Sequence, residues 1–407
     1  MTESTRERFH RIARFKPTND IFMMSMFNTL FWNRAIQRWQ SEGAPDDIIP
    51  PADAVLYGPT LRQNSFLHLD RMEMMVDVHS GMGYWEGHLA DSFPPRWSLV
   101  PIIPLFEAET LVEDDRTTTI RTAGGTVVRV MRATDYAGGM PQYLERPVKD
   151  RASWESYKKR LDPNTPQRWP ADWDAYVSRC NSRDYPLGLY AGSFFGFLRE
   201  WMGLESLLLS FYDDPALIED MMDHMLYLVS ECAKRVLKDI KPDFAMIWED
   251  MAYKSGSMIS PAMFRRFIMP RYRKLADLLR SNGVDVIVVD TDGNVNQLIP
   301  LWIECGINAT WPLEVAAGND AVAIKKEYGN DFIVMGNIDK RAFAQGEEAI
   351  RHELMSKVPF LLEKGGYFPS PDHMVPPDVS WHNYCYYIDT LREINGLEKI
   401  FGSPASR

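Results

Sequence analysis

From residue 184 onward, short apolar runs alternate with longer stretches of helical periodicity, and that rhythm predicts parallel strands joined by helical crossovers. Strands are expected at 186–191, 243–248, 285–289, 307–311, 332–335 and 367–369. Helices are expected at about 196–211, 214–239, 295–305, 318–328 and 347–364, with another opening at Ser260-Pro261. Asp214-Pro215 and Ser260-Pro261 each place a capping side chain before a proline at the first helical position. Upstream, residues 4–15 read as a short polar helix and 20–26 as a first buried strand, followed by a helix carrying Phe31, Ala35, Ile36 and Trp39 on one face. Residues 44–100 lose the rhythm among prolines and aromatics and read as an insertion or cap. Two alternating segments flank Ala123-Gly124-Gly125 within 109–134, the pattern of a β-hairpin. Residues 153–157 are helical within a charged, proline-bounded stretch.

The strand count approaches eight. We therefore expect a (β/α)8 TIM barrel with an N-terminal insertion and a β-hairpin flap, a single domain over residues 1–407 with 44–150 as cap and hairpin inside it.

Hydrophobic residues at 45 % and charged residues at 25 % match an ordinary globular chain with a large core. The net charge of −11 disfavours a phosphate-backbone partner, so no nucleic acid is expected. Cys180, Cys232, Cys305 and Cys385 lie far apart, which fits neither a disulfide framework nor a zinc ribbon. No apolar run is long enough to span a bilayer and residues 1–8 lack a signal-peptide core, so the expected location is the cytoplasm. His68, His79 and His88 match no compact metal motif. Met72-Glu73-Met74-Met75 and Met221-Met222 read as core filling.

Candidate chemistry gathers where strands end. In an α/β barrel the loops after the strands build one pocket. Here those loops carry Gly192-Ser193, Glu249-Asp250, Asp290-Thr291-Asp292-Gly293-Asn294, Glu314, Asn337 with Asp339, and Asp372-His373. So many carboxyl groups around one mouth repel one another and invite a cation or a shared proton. One reading places a divalent metal on carboxylates, Asp290 and Asp292, with His373; another has His373, Glu249 and Asp250 act directly as acids or bases. Structural alternatives stand beside them: Asp290 and Asp292 as caps of a helix starting near Val295, Glu249 and Asp250 as ion pairs with Lys254 or Arg265, and His373 as a packing residue.

Taken together, Trp248-Glu249-Asp250, Gly256, Ile259-Ser260-Pro261, Phe264, Asp290-Thr291-Asp292-Gly293-Asn294, Gly336-Asn337-Ile338-Asp339-Lys340 and Pro371-Asp372-His373 resemble the uroporphyrinogen decarboxylase superfamily over residues 184–395. The resemblance implies a distorted (β/α)8 barrel and one of two chemistries: cofactor-free decarboxylation of porphyrinogens, or zinc-dependent methyl transfer involving corrinoid proteins or thiols. It also implies a small-molecule substrate held at Asn294, Asn337 and Asp339, with Trp201 standing where the tetrapyrrole decarboxylases carry an active-site tyrosine. Barrels of this kind often pair, so a homodimer is expected.

Two departures redirect the expectation. The arginine-rich segment that grips porphyrinogen carboxylates is replaced by Met26-Phe27-Asn28-Thr29-Leu30-Phe31-Trp32, and the methyltransferases' His-x-Cys by Asp290-Thr291-Asp292. Hard carboxylates in place of imidazole and thiolate favour a harder ion or no metal. The expected function is methyl transfer between a small methylated substrate and a corrinoid protein or related acceptor. The alternatives are a cofactor-free decarboxylase acting on a carboxylated substrate such as a tetrapyrrole, and a barrel that only binds a ligand.

Overall fold

Seven parallel strands make the central sheet of the computed structural model, which describes residues 3–16, 21–48, 61–75, 78, 101–131 and 141–402. In chain order the strands are β1 (Glu73–Met74), β2 (Glu109–Glu113), β3 (Thr117–Arg121), β4 (Val127–Met131), β5 (Gln142–Glu145), β6 (Leu187–Tyr190), β7 (Phe244–Trp248), β8 (Ala252–Tyr253), β9 (Gly256–Ser257), β10 (Val286–Thr291), β11 (Ala309–Pro312), β12 (Ile333–Met335) and β13 (Tyr367–Phe368). The central sheet runs β1-β6-β7-β10-β11-β12-β13, and every described pairing in it is parallel. Its strands are buried along their whole length apart from Glu73 at the start of β1, which explains why they read as continuous apolar runs rather than alternating ones.

The sheet curls. Phe9, from the N-terminal helix Thr5–Ala13, meets Phe244 at 5.8 Å and Phe368 at 5.1 Å, although three strands separate β7 from β13. Register places Phe244, Met246, Trp248, Asp290, Trp311 and Phe368 on this one face, so the face around Phe9 is the inside of the curl. Residues 21–24 lie beside the entry to β1 through a single parallel bridge between Met24 and Asp70. Among the described residues no ladder joins that segment to β13. The links there include a hydrogen bond from the Asn28 side chain to the Pro369 carbonyl, 3.3 Å, one from Gly366 N to the Ile12 carbonyl, 3.0 Å, the Phe22–Phe368 ring contact at 5.5 Å, and an isolated parallel bridge between Phe31 and Val375. The architecture is a mostly parallel, curled α/β sheet.

The N-terminal helix is fixed from below by Asp243, which is buried at the entrance to β7. Its carboxylate accepts from Arg6 at 2.6 Å, His10 at 2.7 Å and Arg183 at 2.6 Å. Burial alone would raise its pKa; His10 and Arg183 overcome that and hold it at about 2.

Most elements fall where the hydrophobic pattern puts them, with four differences. The expected first strand does not form among the described residues: Met24 makes one isolated bridge, and the residues after it turn into the helix Ser25–Asn28. Strand β1 arises inside the segment read as a cap, and most of that segment lies outside the described residues. The hairpin β3–β4 grows into a four-stranded antiparallel sheet by addition of β2 and β5. The long helix after β6 breaks at Gly203, whose φ of +81° suits glycine, into Gly196–Met202 and Leu204–Asp213. No helix among the described residues is long and apolar enough to cross a membrane.

Candidate active site

The loops following β7, β10, β11, β12 and β13 meet at one end of the curl, and their side chains form a continuous polar network. His373 Nε2 stands 3.4 Å from the Asp292 carboxylate. The Asp292 backbone N–H donates to Asp250 Oδ1 at 3.2 Å, and Asp250 in turn holds Arg199, which donates to its carbonyl at 2.9 Å and approaches its carboxylate at 3.2 Å. Lys340 Nζ sits between Glu314 at 3.5 Å and Asp372 at 3.7 Å. Glu314 also accepts from Gly293 N at 3.1 Å, and Asp372 from Val315 N and Lys340 N. Five strand ends are thus tied together by charge-assisted bonds.

The electrostatics separate the acids. Burial would lower the His373 pKa, but the Asp292 carboxylate beside it outweighs burial and raises it, so the imidazolium persists above its ordinary range. Asp292 is pushed up by burial and down further by His373, Lys340 and Arg199, ending below the ordinary carboxylate range. Asp250 moves the other way, raised by burial and by the Asp292 charge against the pull of Arg199. The two neighbouring aspartates are thus shifted in opposite directions. Asp250 also has φ of +44°, a left-handed conformation rare for a non-glycine residue and one that the hydrogen bonds on both sides of it maintain.

Glu249 has a different environment. It is fully buried, and its carboxyl group receives hydrogen bonds from the backbone N–H groups of Phe194, Phe195 and Gly196, the Ser193 hydroxyl and the Tyr272 hydroxyl. Burial raises its pKa against those donors. Glu249 closes the turn after β6 and fixes the start of the helix Gly196–Met202, which carries Arg199 to the rim.

Gly293 allows the β10 loop to pass against β8. Its φ is +84°, and a Cβ there would lie 2.3 Å from the Ala252 carbonyl oxygen and 2.9 Å from that of Tyr253. Gly293→Ala should therefore cost about 1–3 kcal/mol, read as a lower midpoint in urea denaturation, because backbone on both sides must move. A midpoint equal to the native one would contradict this packing.

The other sequence candidates separate. Asp290 is buried on the inner face, between Trp248 and Trp311 in register. The helix beyond the β10 loop starts only at Ile299 with no side-chain cap, so Asp290 and Asp292 do not cap it. Asp250 pairs with Arg199, and Arg265 pairs with Glu304 at 3.1 Å. Asn294 and Asn337 bond to backbone: Asn294 Nδ2 to Ala317 O at 2.9 Å, Asn337 Nδ2 to Leu313 O at 2.7 Å. Asp339 caps the helix Lys340–Gln345 and pairs with Arg341 at 2.7 Å. Trp201 lies in an aromatic stack, 5.7 Å from Phe197 and 6.0 Å from Trp154.

Arg199 and Lys340 received no role in the sequence reading. Arg199 interrupts the apolar run Phe194–Trp201, a signal in itself; Lys340 directly follows a strand-end motif. Among the described residues no group of three or more His, Cys, Asp or Glu side chains gathers as a metal site. Asp290 and Asp292 are not joined by a third such ligand among those residues.

A family model for uroporphyrinogen decarboxylase matches residues 135–394, well over half the sequence. The chain belongs to the uroporphyrinogen decarboxylase (URO-D) family. No curated protein matches it. Among solved structures it is similar to a methyltransferase from Methanosarcina mazei, with a TM-score of 0.58 and 13 % identity over 96 % of this chain and 99 % of that one. At that identity the likeness speaks for the fold. A URO-D barrel-like scaffold accounts for the convergence of strand-end loops seen here.

Proposed function

We propose that this URO-D family member is a methyltransferase that moves a methyl group from a small methylated substrate to a corrinoid-bearing partner protein, with His373 and Asp292 as its acid–base pair. The observation that carries the proposal is the His373–Asp292 contact at the mouth of the curl. The pair is reachable, since the His373 side chain is 29 % exposed and that of Asp292 44 %. The name of the structural neighbour agrees with this reading.

The corrinoid would supply the nucleophile that takes the methyl group. This chain would do the rest. Displacement at the methyl carbon breaks its bond to the substrate heteroatom and leaves an electron pair there. The imidazolium of His373 gives that atom its proton and becomes neutral imidazole. Asp292 holds the imidazolium form ready, while Asp250 and Arg199 fix the backbone from which Asp292 projects.

The test uses purified chain with reduced free cobalamin as acceptor and methanol, anisole, dimethyl sulfide or choline as donor. Methylation of the cobalamin, followed by its absorption spectrum, is expected with at least one donor and without stoichiometric metal in the protein. Release of carbon dioxide from a carboxylated probe with no methyl transfer from any donor would replace this reading with decarboxylation. A stoichiometric divalent ion lost in Asp290→Ala and Asp292→Ala would return the chemistry to metal assistance.

A further inference from the structure

Two cations at the mouth of the curl are only loosely engaged by the acids around them. Lys340 Nζ stands 3.5 Å from Glu314 and 3.7 Å from Asp372, both longer than the about 2.7–2.9 Å of a charge-assisted hydrogen bond. Neither carboxylate depends on that ammonium group. Glu314 accepts from Gly293 N at 3.1 Å, and Asp372 from Val315 N at 2.9 Å and Lys340 N at 3.1 Å. His373 Nε2 keeps a similar distance from Asp292, 3.4 Å. Both cations can be reached from solvent, since the Lys340 side chain is 19 % exposed and that of His373 29 %.

The two groups act on one spot. Glu314, the nearer neighbour of Lys340, is bonded to Gly293, the residue after Asp292. The Lys340 charge accordingly reaches the acid–base pair: it opposes protonation of His373 and favours the Asp292 carboxylate. Burial pushes Asp372 above the ordinary carboxylate range, which weakens the negative charge facing Lys340.

Methyl donors differ in the charge they bring and the charge they leave behind. A methylammonium or sulfonium donor arrives as a cation and would be repelled by Lys340 and His373. A methyl ether arrives neutral, and its oxygen gains negative charge as the C–O bond breaks. Two cations with N–H groups aimed at that oxygen stabilise the developing charge more than the ground state. An aryl ether fits best, because it leaves a phenol oxygen with a pKa of about 10, as in tyrosine, whereas an alkyl ether leaves a far more basic alkoxide.

We infer that the substrate is an aryl methyl ether whose ether oxygen is held between the Lys340 ammonium group and the His373 imidazolium. The inference rests on the methyl-transfer reading and narrows its substrate class. The step balances: the acceptor's electron pair forms the new bond to the methyl carbon, the C–O bond breaks, and its electron pair stays on oxygen. His373 gives that oxygen a proton, so a phenol and a neutral imidazole result, while Lys340 keeps its own protons.

The full chain titrated with 4-nitrophenol, the demethylated product of 4-nitroanisole, and with nitrobenzene, which lacks the oxygen, tests the site with no acceptor present. At one pH unit below the phenol's solution pKa, 4-nitrophenol should bind about tenfold or more tightly than nitrobenzene and show the phenolate absorption band when bound. Lys340→Met, shown folded by circular dichroism, should lose both the preference and the band, and Lys340→Arg, which keeps the charge, should retain part of each. Equal affinity for the two compounds, no binding of either at millimolar concentration, a neutral spectrum for the bound phenol, or a band that survives Lys340→Met would overturn the inference. Phenolate capture without methylation of cobalamin from 4-nitroanisole would uphold the oxygen site and count against methyl transfer. Methylation from choline or dimethyl sulfide without phenolate capture would leave methyl transfer standing and overturn the ether.

Discussion

His373→Gln should lower the rate of methyl transfer by about 10²–10⁴-fold with little change in thermal stability, the range expected when a positioned proton donor is removed. The side chain is partly exposed and pairs with Asp292, so few packing contacts are lost. The pH dependence gives a sharper test. His373 has a raised pKa in the folded protein and Asp292 a lowered one, so the imidazolium–carboxylate pair is intact between them. Activity should fall on the acid side as Asp292 gains a proton and on the alkaline side as His373 loses its own. Asp292→Asn removes the carboxylate that does most to raise His373 and leaves burial, which lowers it most, with smaller opposed influences of Lys340 and Glu314. The alkaline limb should therefore move to lower pH in that variant. An unmoved limb would show that some other group supplies the proton.

Glu249→Ala should be the most destabilising single change at this end of the molecule, by about 3–5 kcal/mol in chemical denaturation. Three backbone N–H groups and two hydroxyls converge on its carboxyl group, and alanine offers none of them an acceptor. Glu249→Gln keeps one oxygen for the backbone donors and an amide group near the Tyr272 hydroxyl, so its loss should be well under half as large. Activity in these variants should follow stability, because Glu249 acts through the turn it closes. A folded, fully stable Glu249→Ala protein would contradict the hydrogen-bond assignment.

The parallel sheet was legible in the sequence because its strands are buried on both faces and punctuated by capped helices, as at Asp214-Pro215 and Ser260-Pro261. Strand β1 was not: its two residues, Glu73 and Met74, sit in a run that reads as core filling, and only pairing with β6 makes it a strand. Strands β2 and β5 escaped for a related reason. All their residues are exposed, so they lack an apolar face that would announce them. At the site, acids at strand ends stood out because charge directly after a fully apolar strand is unusual. Their division of labour did not, since Glu249 and Asp250 are neighbours in sequence but lie in opposite surroundings, one among backbone donors and the other facing Arg199 and Asp292. Arg199 joins the site from a helix fifty residues earlier in the chain, and local periodicity carries no trace of such a meeting.

The Phe9 contacts have a bearing on how this scaffold diversifies. Where neighbouring strands share a ladder, the spacing between them is set by backbone geometry and any change in bore requires a new register. Between β13 and residues 21–24 no ladder runs among the described residues, and the margins meet through the rings of Phe22 and Phe368 with Phe9 against both. Substitutions at that suture can alter the girth of the opening one ring or one methylene at a time, without disturbing the six strand pairings that aim Asp290 and its neighbours inward. It offers evolution an adjustable gauge for ligands of different width.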